Sequence, residues 1–201
     1  MRIIFATGNE GKMREIRDIL AGMEAEIVSM KEAGIKVDVV EDGTTFEENG
    51  LIKARAIAAH TDAIVLVGNP LWTADLISVM NSPLEGYTNI MYTYHFYAAD
   101  HKNTSEVEQA YDKGFPVFIS EHGGMLSSGD GDLDIEAVTN WYKVLDERNI
   151  SYVAWNLSNS KGSASILKQE TTSLTDFSDE ALKEWGVWYK AWVRKKFGFD
   201  R

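Results

Sequence analysis

The 201-residue sequence contains no cysteine, only three prolines, and 20 basic residues against 31 acidic ones. Without cysteine there is no disulfide framework, no thiolate nucleophile and no cysteine-bound zinc. The formal net charge of -11 argues against a nucleic-acid polymer or a membrane surface as partner, because binding to phosphates needs clustered Lys and Arg. We therefore expect neutral or cationic partners.

Long hydrophobic runs are also missing. No stretch reaches the roughly 18 apolar residues that a membrane-spanning helix needs, and the opening run MRIIFA is too short for a signal peptide. We expect a soluble protein that is cytoplasmic as expressed.

Short apolar runs alternate with segments of helical period. The predicted strands are 3–6, 26–30, 63–67, 90–97, 117–120 and 152–157, and the predicted helices are 12–20, 46–59, 106–113, 135–147 and a last one after Ser178. Such alternation is typical of βα units around a parallel sheet. The predicted fold class is α/β, a mainly parallel sheet of about six βα units that forms a merged open sheet or an incomplete (β/α) barrel.

The first predicted strand leads through the motif ATGN-x-GK into a helix. Backbone N–H groups at such a helix start, together with Lys12, suit a phosphate, although Gly and Asn also occupy such turns for conformational reasons. Farther on, an acidic loop with Glu41 precedes the helix that carries Lys53, and Mg²⁺ prefers carboxylates together with phosphate oxygens. The alternative is an ordinary helix start capped by Thr44 or Thr45.

The motifs ATGN-x-GK and EDG-T-TF-x-EN-x-x-x-KA, in this order and spacing, resemble the inosine/xanthosine triphosphate pyrophosphatase (Ham1-like) family over residues 1–66. The resemblance implies phosphate binding by Thr7, Asn9, Lys12 and Lys53, and metal binding by Glu41 with Mg²⁺ as cofactor. After the third predicted strand the family reads Ala-Asp-Asp-Ser-Gly, whereas this chain reads VGNP, and the family's Phe-Gly-Tyr-Asp loop is absent. The resemblance therefore implies weak triphosphate or Mg²⁺ binding rather than pyrophosphatase activity.

From Val67 onward, polar and aromatic residues stand at the C-terminal end of each predicted strand, where a parallel α/β barrel assembles its active face. Glu121 ends an apolar strand, and a carboxylate there can attack an anomeric carbon. His95 and Tyr97 project from the same side of their strand, because side chains repeat every two residues. Each of these residues alone could be structural, but together they indicate a carbohydrate site with Trp155 as an apolar platform.

The motifs GY-x-NIMYT-x-HFYA, PVFISE-x-G and YVAWNLSN resemble cellulase-type members of glycoside hydrolase family 5 over residues 64–167, at the fifth to eighth strands of that family's barrel. The resemblance implies that Glu121 is the nucleophile of a retaining β-1,4-glucan hydrolase and that His95 and Tyr97 support it. It also implies that Trp155 and Trp72 contact the sugar. The implied reaction requires no cofactor, and the partner would be a β-glucan or another small carbohydrate.

Retaining hydrolysis needs a second carboxyl group about 5 to 5.5 Å from the nucleophile. The family carries it in an Asn-Glu-Pro motif after its fourth strand, and this chain has no such motif. Glu32 would replace it only if the second predicted strand took the place of the family's fourth. Three functions stay open: a glucan hydrolase remnant without its general acid/base, a Mg²⁺-dependent triphosphate pyrophosphatase remnant, and a non-catalytic scaffold.

The strand at 63–66 ends the first resemblance and begins the second. A junction at a shared buried strand indicates an engineered or recombined chimera. We expect the fragments 1–66 and 67–201 to merge into one domain. Two barrel strands would be missing, and the unpaired strand edges would favour a homodimer.

Overall fold

The computed structural model describes residues 2–5, 10–19, 26–40, 42–173 and 175–199. The strands within these ranges are β1 Arg2–Phe5, β2 Glu26–Ser29, β3 Val65–Val67, β4 Ile90–Tyr97 and β5 Val117–Gly123. The helices are α1 Glu10–Ile19, α2 Phe46–Ala58, α3 Pro70–Thr73, α4 Leu76–Asn81, α5 Ser105–Asp112, α6 Ile135–Glu147 and α7 Glu184–Phe197. The predicted α/β class with parallel strands is confirmed.

The chain folds into two compact units. The first unit comprises Met1–Gly68 and Asn81–Tyr92, and the second comprises Asn69–Met80 and Thr93–Arg201. Residues 81–92 follow the end of the first fragment by more than a dozen positions, yet they pack with it. The division at residues 66 and 67, and the merging of both fragments into one domain, stay predictions.

The first unit contains two parallel strand pairs. β1 pairs with β2 from Arg2↔Glu26 to Phe5↔Ser29, and β3 pairs with the start of β4. Asn89 stands immediately before β4 and donates from Nδ2 to three carbonyl oxygens, those of Ala58, Thr61 and Ala63, at 3.3, 2.7 and 3.0 Å. This side chain therefore ties the end of α2 to the start of β4.

The second unit contains the C-terminal part of β4 and its hydrogen-bonded neighbour β5. Phe96 of β4 is fully buried and stacks on Trp141 of α6, with ring centroids 4.0 Å apart. α6 begins where the Asp134 carboxylate accepts the backbone N–H of Ala137 at 2.9 Å, the usual arrangement of a helix N-cap. The aromatic packing fixes the strands from which the site residues project.

Two predicted elements differ from the structure. The strand predicted at 152–157 is reduced to a single parallel bridge, Ile119↔Tyr152, because the backbone N–H of Asn156 bonds to Ala164 rather than to a strand partner. The last helix begins at Glu184, with Lys183 at its N-cap, and not after Ser178. No helix in the described ranges is long and apolar enough to cross a membrane.

Candidate functional site

Three of the predicted site residues meet at the C-terminal ends of β4 and β5. The Tyr97 hydroxyl donates to Glu121 Oε1 at 2.8 Å, and His95 Nδ1 lies 3.7 Å from Glu121 Oε2. The two strands are hydrogen-bonded neighbours in one sheet, and all three residues lie near the last residues of their strands. The structure thus brings Glu121, His95 and Tyr97 into one cluster.

The close approach of Tyr97 to β5 depends on a glycine. A Cβ atom at Gly123 would lie 2.9 Å from Tyr97 Cδ1 and 2.6 Å from Met125 Sδ, closer than carbon and sulfur atoms pack in proteins. Any larger residue at position 123 would push the tyrosine ring away from β5. Gly123 therefore allows the Tyr97 hydroxyl to reach Glu121.

Burial sets the protonation states around Glu121. It lowers the pKa of His95, while the charge of Glu121 and a hydrogen bond with the Trp72 backbone act in the opposite direction. It also raises the pKa of the Tyr97 hydroxyl, and the hydrogen bond to Glu121 adds to that increase. At neutral pH the imidazole and the phenol are therefore both uncharged, so His95 and Glu121 do not form a true ion pair.

The two predicted sugar-contacting tryptophans are exposed. Trp72 has 91% and Trp155 has 44% of its surface exposed. The Trp72 backbone contacts His95, and the Trp155 backbone N–H donates to the His122 carbonyl, next to Glu121, at 2.8 Å. Both segments are therefore attached to the strands that carry the cluster, and both rings are accessible to a ligand.

The structure adds residues that the sequence did not single out. Ser120 Oγ lies 2.8 Å from His95 Nε2, and Trp185 Nε1 donates to the Trp155 carbonyl at 3.0 Å. Ser120 could have been found from the sequence, because it is the polar residue that ends the apolar run PVFIS. Nothing local marked Trp185, because its partner lies thirty residues earlier in the chain.

Of the predicted phosphate and metal residues, only Lys12 and Lys53 belong to the part of the chain that the structure describes. Thr7, Asn9 and Glu41 lie outside the described residues, Lys12 lies in α1 and Lys53 in α2. No three His, Asp or Glu side chains in the described ranges are grouped so that they could hold a metal ion. Phosphate binding and Mg²⁺ binding stay predictions.

Glu32 is engaged within the first unit. Its Oε2 accepts hydrogen bonds from Arg17 at 2.5 Å and from the Ser29 N–H and hydroxyl at 2.7 and 2.8 Å. These bonds, led by that of the Ser29 backbone, lower the pKa of Glu32. A general acid needs a raised pKa, so this environment does not favour that role.

Comparison with known proteins decides the family. Residues 44–161, more than half of the chain, match the family model described as cellulase (glycosyl hydrolase family 5). The chain belongs to glycosyl hydrolase family 5. Residues 3–71 also match the Ham1 family, and both resemblances seen in the sequence are thus confirmed. Glu121, His95, Tyr97, Trp72 and Trp155 all lie within the family 5 match.

Several of the curated relatives are named endoglucanases. The chain is 41% identical over 135 residues to endoglucanase A of Butyrivibrio fibrisolvens, covering 66% of this chain and 31% of that protein. It is 33% identical over 144 residues to endoglucanase MaCel5A of a Microbulbifer strain, covering 67% and 28%. The crystal structure of the catalytic domain of Thermobifida fusca endoglucanase Cel5A superposes with a TM-score of 0.67 at 26% identity, covering 74% of this chain and 52% of that one. The chain thus spans about a third of these curated relatives.

Proposed function

We propose that this chain carries the nucleophile side of a retaining β-1,4-glucan hydrolase site, with Glu121 as the nucleophile, and that it lacks the general acid/base. The observation that carries the proposal is the hydrogen bond of 2.8 Å from the Tyr97 hydroxyl to Glu121 Oε1. This bond orients the carboxylate, whose side chain is 24% exposed and whose Oε2 lies 3.7 Å from Nδ1 of a neutral His95.

The proposed chemistry is a single displacement followed by slow turnover. The Glu121 carboxylate attacks the anomeric carbon, an ester bond to the sugar forms, and the bond to the leaving oxygen breaks. Without a general acid the leaving oxygen must depart as an anion or take its proton from water. Ordinary glucans should therefore react little or not at all, whereas a substrate with an activated leaving group should form the glycosyl ester.

The proposed substrate class is a β-glucan or another small carbohydrate. The exposed Trp72 and Trp155 rings offer flat apolar faces on which a sugar ring can stack. The relatives named endoglucanases support this class. The displacement uses only a carboxylate and hydrogen bonds, and needs no cofactor.

Two other functions follow from the Ham1 match over residues 3–71. The first is a Mg²⁺-dependent nucleoside triphosphate pyrophosphatase remnant that binds phosphate through the first unit. The second is a non-catalytic scaffold, produced by joining two incomplete sites in an engineered or recombined chimera. Turnover of inosine triphosphate and of dye-linked cellulose, each with and without Mg²⁺, separates the enzyme functions, and failure of both favours the scaffold.

The deciding experiment is the intact mass after incubation with a 2-deoxy-2-fluoro cellobioside that carries a dinitrophenyl leaving group. This reagent needs a nucleophile but almost no acid assistance. We expect a mass gain of one glycosyl unit that disappears in Glu121→Gln. Glu170→Gln, a change at an exposed carboxylate of the same unit, is the matched control and should still take the label. No gain in the unchanged protein would reject the proposal.

A further inference from the structure

A second polar contact holds the far side of the His95 ring. Nε2 lies 2.8 Å from Ser120 Oγ, whereas Nδ1 lies 3.7 Å from Glu121 Oε2. Each ring nitrogen therefore faces an oxygen of β5. The imidazole connects two adjacent residues of that strand, a hydroxyl on one side and a carboxylate on the other.

The neutral His95 ring carries one N–H hydrogen, which can stand at either of these two contacts. Its burial keeps the ring neutral near pH 7, since the pKa of His95 is lowered. A neutral imidazole carries its N–H on either Nδ1 or Nε2, and the other nitrogen is an acceptor. A serine hydroxyl can donate or accept, so Ser120 can serve either tautomer.

The two tautomers present different atoms to Glu121. With the hydrogen on Nε2, the ring donates to Ser120 and the Nδ1 lone pair faces the carboxylate, which is repulsive. With the hydrogen on Nδ1, an N–H faces Glu121 and the Ser120 hydroxyl donates to Nε2. The second arrangement is therefore the one in which both ring nitrogens suit the β5 oxygens that they face.

We infer that Ser120 is a positioning residue that holds His95 in the Nδ1–H tautomer, with this N–H directed toward Glu121. The inference rests on the proposed function, because it assigns Ser120 a role relative to the nucleophile. A hydrogen bond at one ring nitrogen commonly decides whether the other nitrogen carries the N–H hydrogen. Tyr97 and His95 then face different oxygens of Glu121, Oε1 and Oε2, and together orient the carboxylate.

Nuclear magnetic resonance tests the tautomer directly. Long-range ¹H–¹⁵N spectra of protein labelled with ¹⁵N-histidine separate protonated from unprotonated ring nitrogens. The protein has four histidines, and His95→Asn assigns the signals of interest. We expect a protonated Nδ1 at His95, a shift toward mixed tautomers in Ser120→Ala, and recovery of the original signal in Ser120→Thr. A protonated Nε2 in the unchanged protein, or no spectral change in Ser120→Ala, would overturn the inference.

The rate of labelling by the fluorinated cellobioside tests the link to the nucleophile. Losing one neutral hydrogen bond should make Ser120→Ala about three- to tenfold slower, with rescue by Ser120→Thr. Ser128→Ala, at an exposed serine of the same unit, is the matched control and should label at the original rate. A changed tautomer with an unchanged rate in Ser120→Ala would overturn the positioning role. If the unchanged protein takes no label, the proposed function fails, whereas the tautomer spectra still decide the assignment at His95.

Discussion

Glu48 in the first unit and Glu121 in the second are held by different kinds of hydrogen-bond donor. In the first unit, Glu48 Oε2 accepts the Thr44 N–H, the Thr44 hydroxyl and the Thr45 N–H at 2.5, 2.8 and 3.2 Å, and all of these donors lie within four residues of it. In the second unit, Glu121 is held by a tyrosine hydroxyl from a neighbouring strand. The first carboxylate completes a helix cap, and the second is held by a residue distant in sequence.

The surroundings of these two carboxylates indicate different roles. Two local backbone N–H groups and a local hydroxyl donate to Oε2 of Glu48, and the helix cap that they form explains the residue without a ligand. Glu121 has one oxygen bound by Tyr97 and the other 3.7 Å from a half-buried neutral imidazole, and neither partner is a local backbone group. The second unit is therefore where a reaction is to be sought.

The largest expected effect comes from the aromatic core of the second unit. Trp141 is fully buried, stacks on Phe96 and donates from Nε1 to the His101 carbonyl at 2.5 Å. Trp141→Ala should lower the free energy of unfolding by about 3–5 kcal/mol, measured by urea denaturation followed by circular dichroism. The matched control Trp72→Ala removes an exposed ring and should change it by less than about 0.5 kcal/mol. Equal effects of both substitutions would contradict the assigned core.

Lowering the pH should reduce the free energy of unfolding by a smaller amount. Burial lowers the pKa of His122 from 6.5 to about 3, so the unfolded chain binds a proton in a pH range where the folded chain does not. Its contribution to stability is complete above pH 6.5 and is lost as the pH falls toward 3, by about 2–3 kcal/mol near pH 4.5.

Replacing both members of the buried pair should remove this pH dependence. His122 Nε2 and the Tyr142 hydroxyl lie 2.5 Å apart, and the combined change His122→Phe, Tyr142→Phe leaves neither group unpaired. Unfolding free energies measured from pH 7 to 4.5 should fall less steeply in this variant. Parallel curves for both proteins would show that His122 does not cause the acid sensitivity.

At the site itself, Tyr97→Phe removes the hydroxyl that holds Glu121 Oε1. A hydrogen bond to a charged group contributes about 1.5–3 kcal/mol, so labelling by the fluorinated cellobioside should slow by about 10- to 160-fold. Tyr94→Phe is the matched control in the same strand, since Tyr94 packs near Trp141 and not against Glu121. It should label at close to the original rate, and equal loss in both variants would indicate general damage to β4.

The sequence predicted the regular elements well where periodicity and burial agree. Predicted bounds 90–97 and 135–147 match β4 and α6, because both elements have strongly apolar faces. α3 was not predicted, since it has only four residues and Leu71 and Trp72 have positive φ values of 52° and 53°. Such left-handed conformations are held by surroundings rather than by local preference.

The candidate site was predictable in part. Strand alternation placed His95 and Tyr97 on one side, and the structure brings both to Glu121. The same rule places Ser120 and Glu121 on opposite faces, and yet each lies near one ring nitrogen of His95, at 2.8 and 3.7 Å. Contacts of this kind depend on ring orientation, which strand periodicity does not specify.

The smallest expected effect tests the cap in the first unit. The Thr45 hydroxyl accepts the Glu48 N–H at 3.1 Å, and the Glu48 carboxylate accepts the Thr45 N–H, which together form a capping box at the start of α2. Thr45→Ala should destabilise the first unit by about 1 kcal/mol, measured by urea denaturation, with exposed Thr88→Ala of the same unit as matched control. Labelling at Glu121 should stay unchanged, because the cap belongs to a helix that supplies no residue to the Glu121 cluster. A slower labelling rate in Thr45→Ala would show that the two units are coupled, and the contrast between their carboxylates would then need revision.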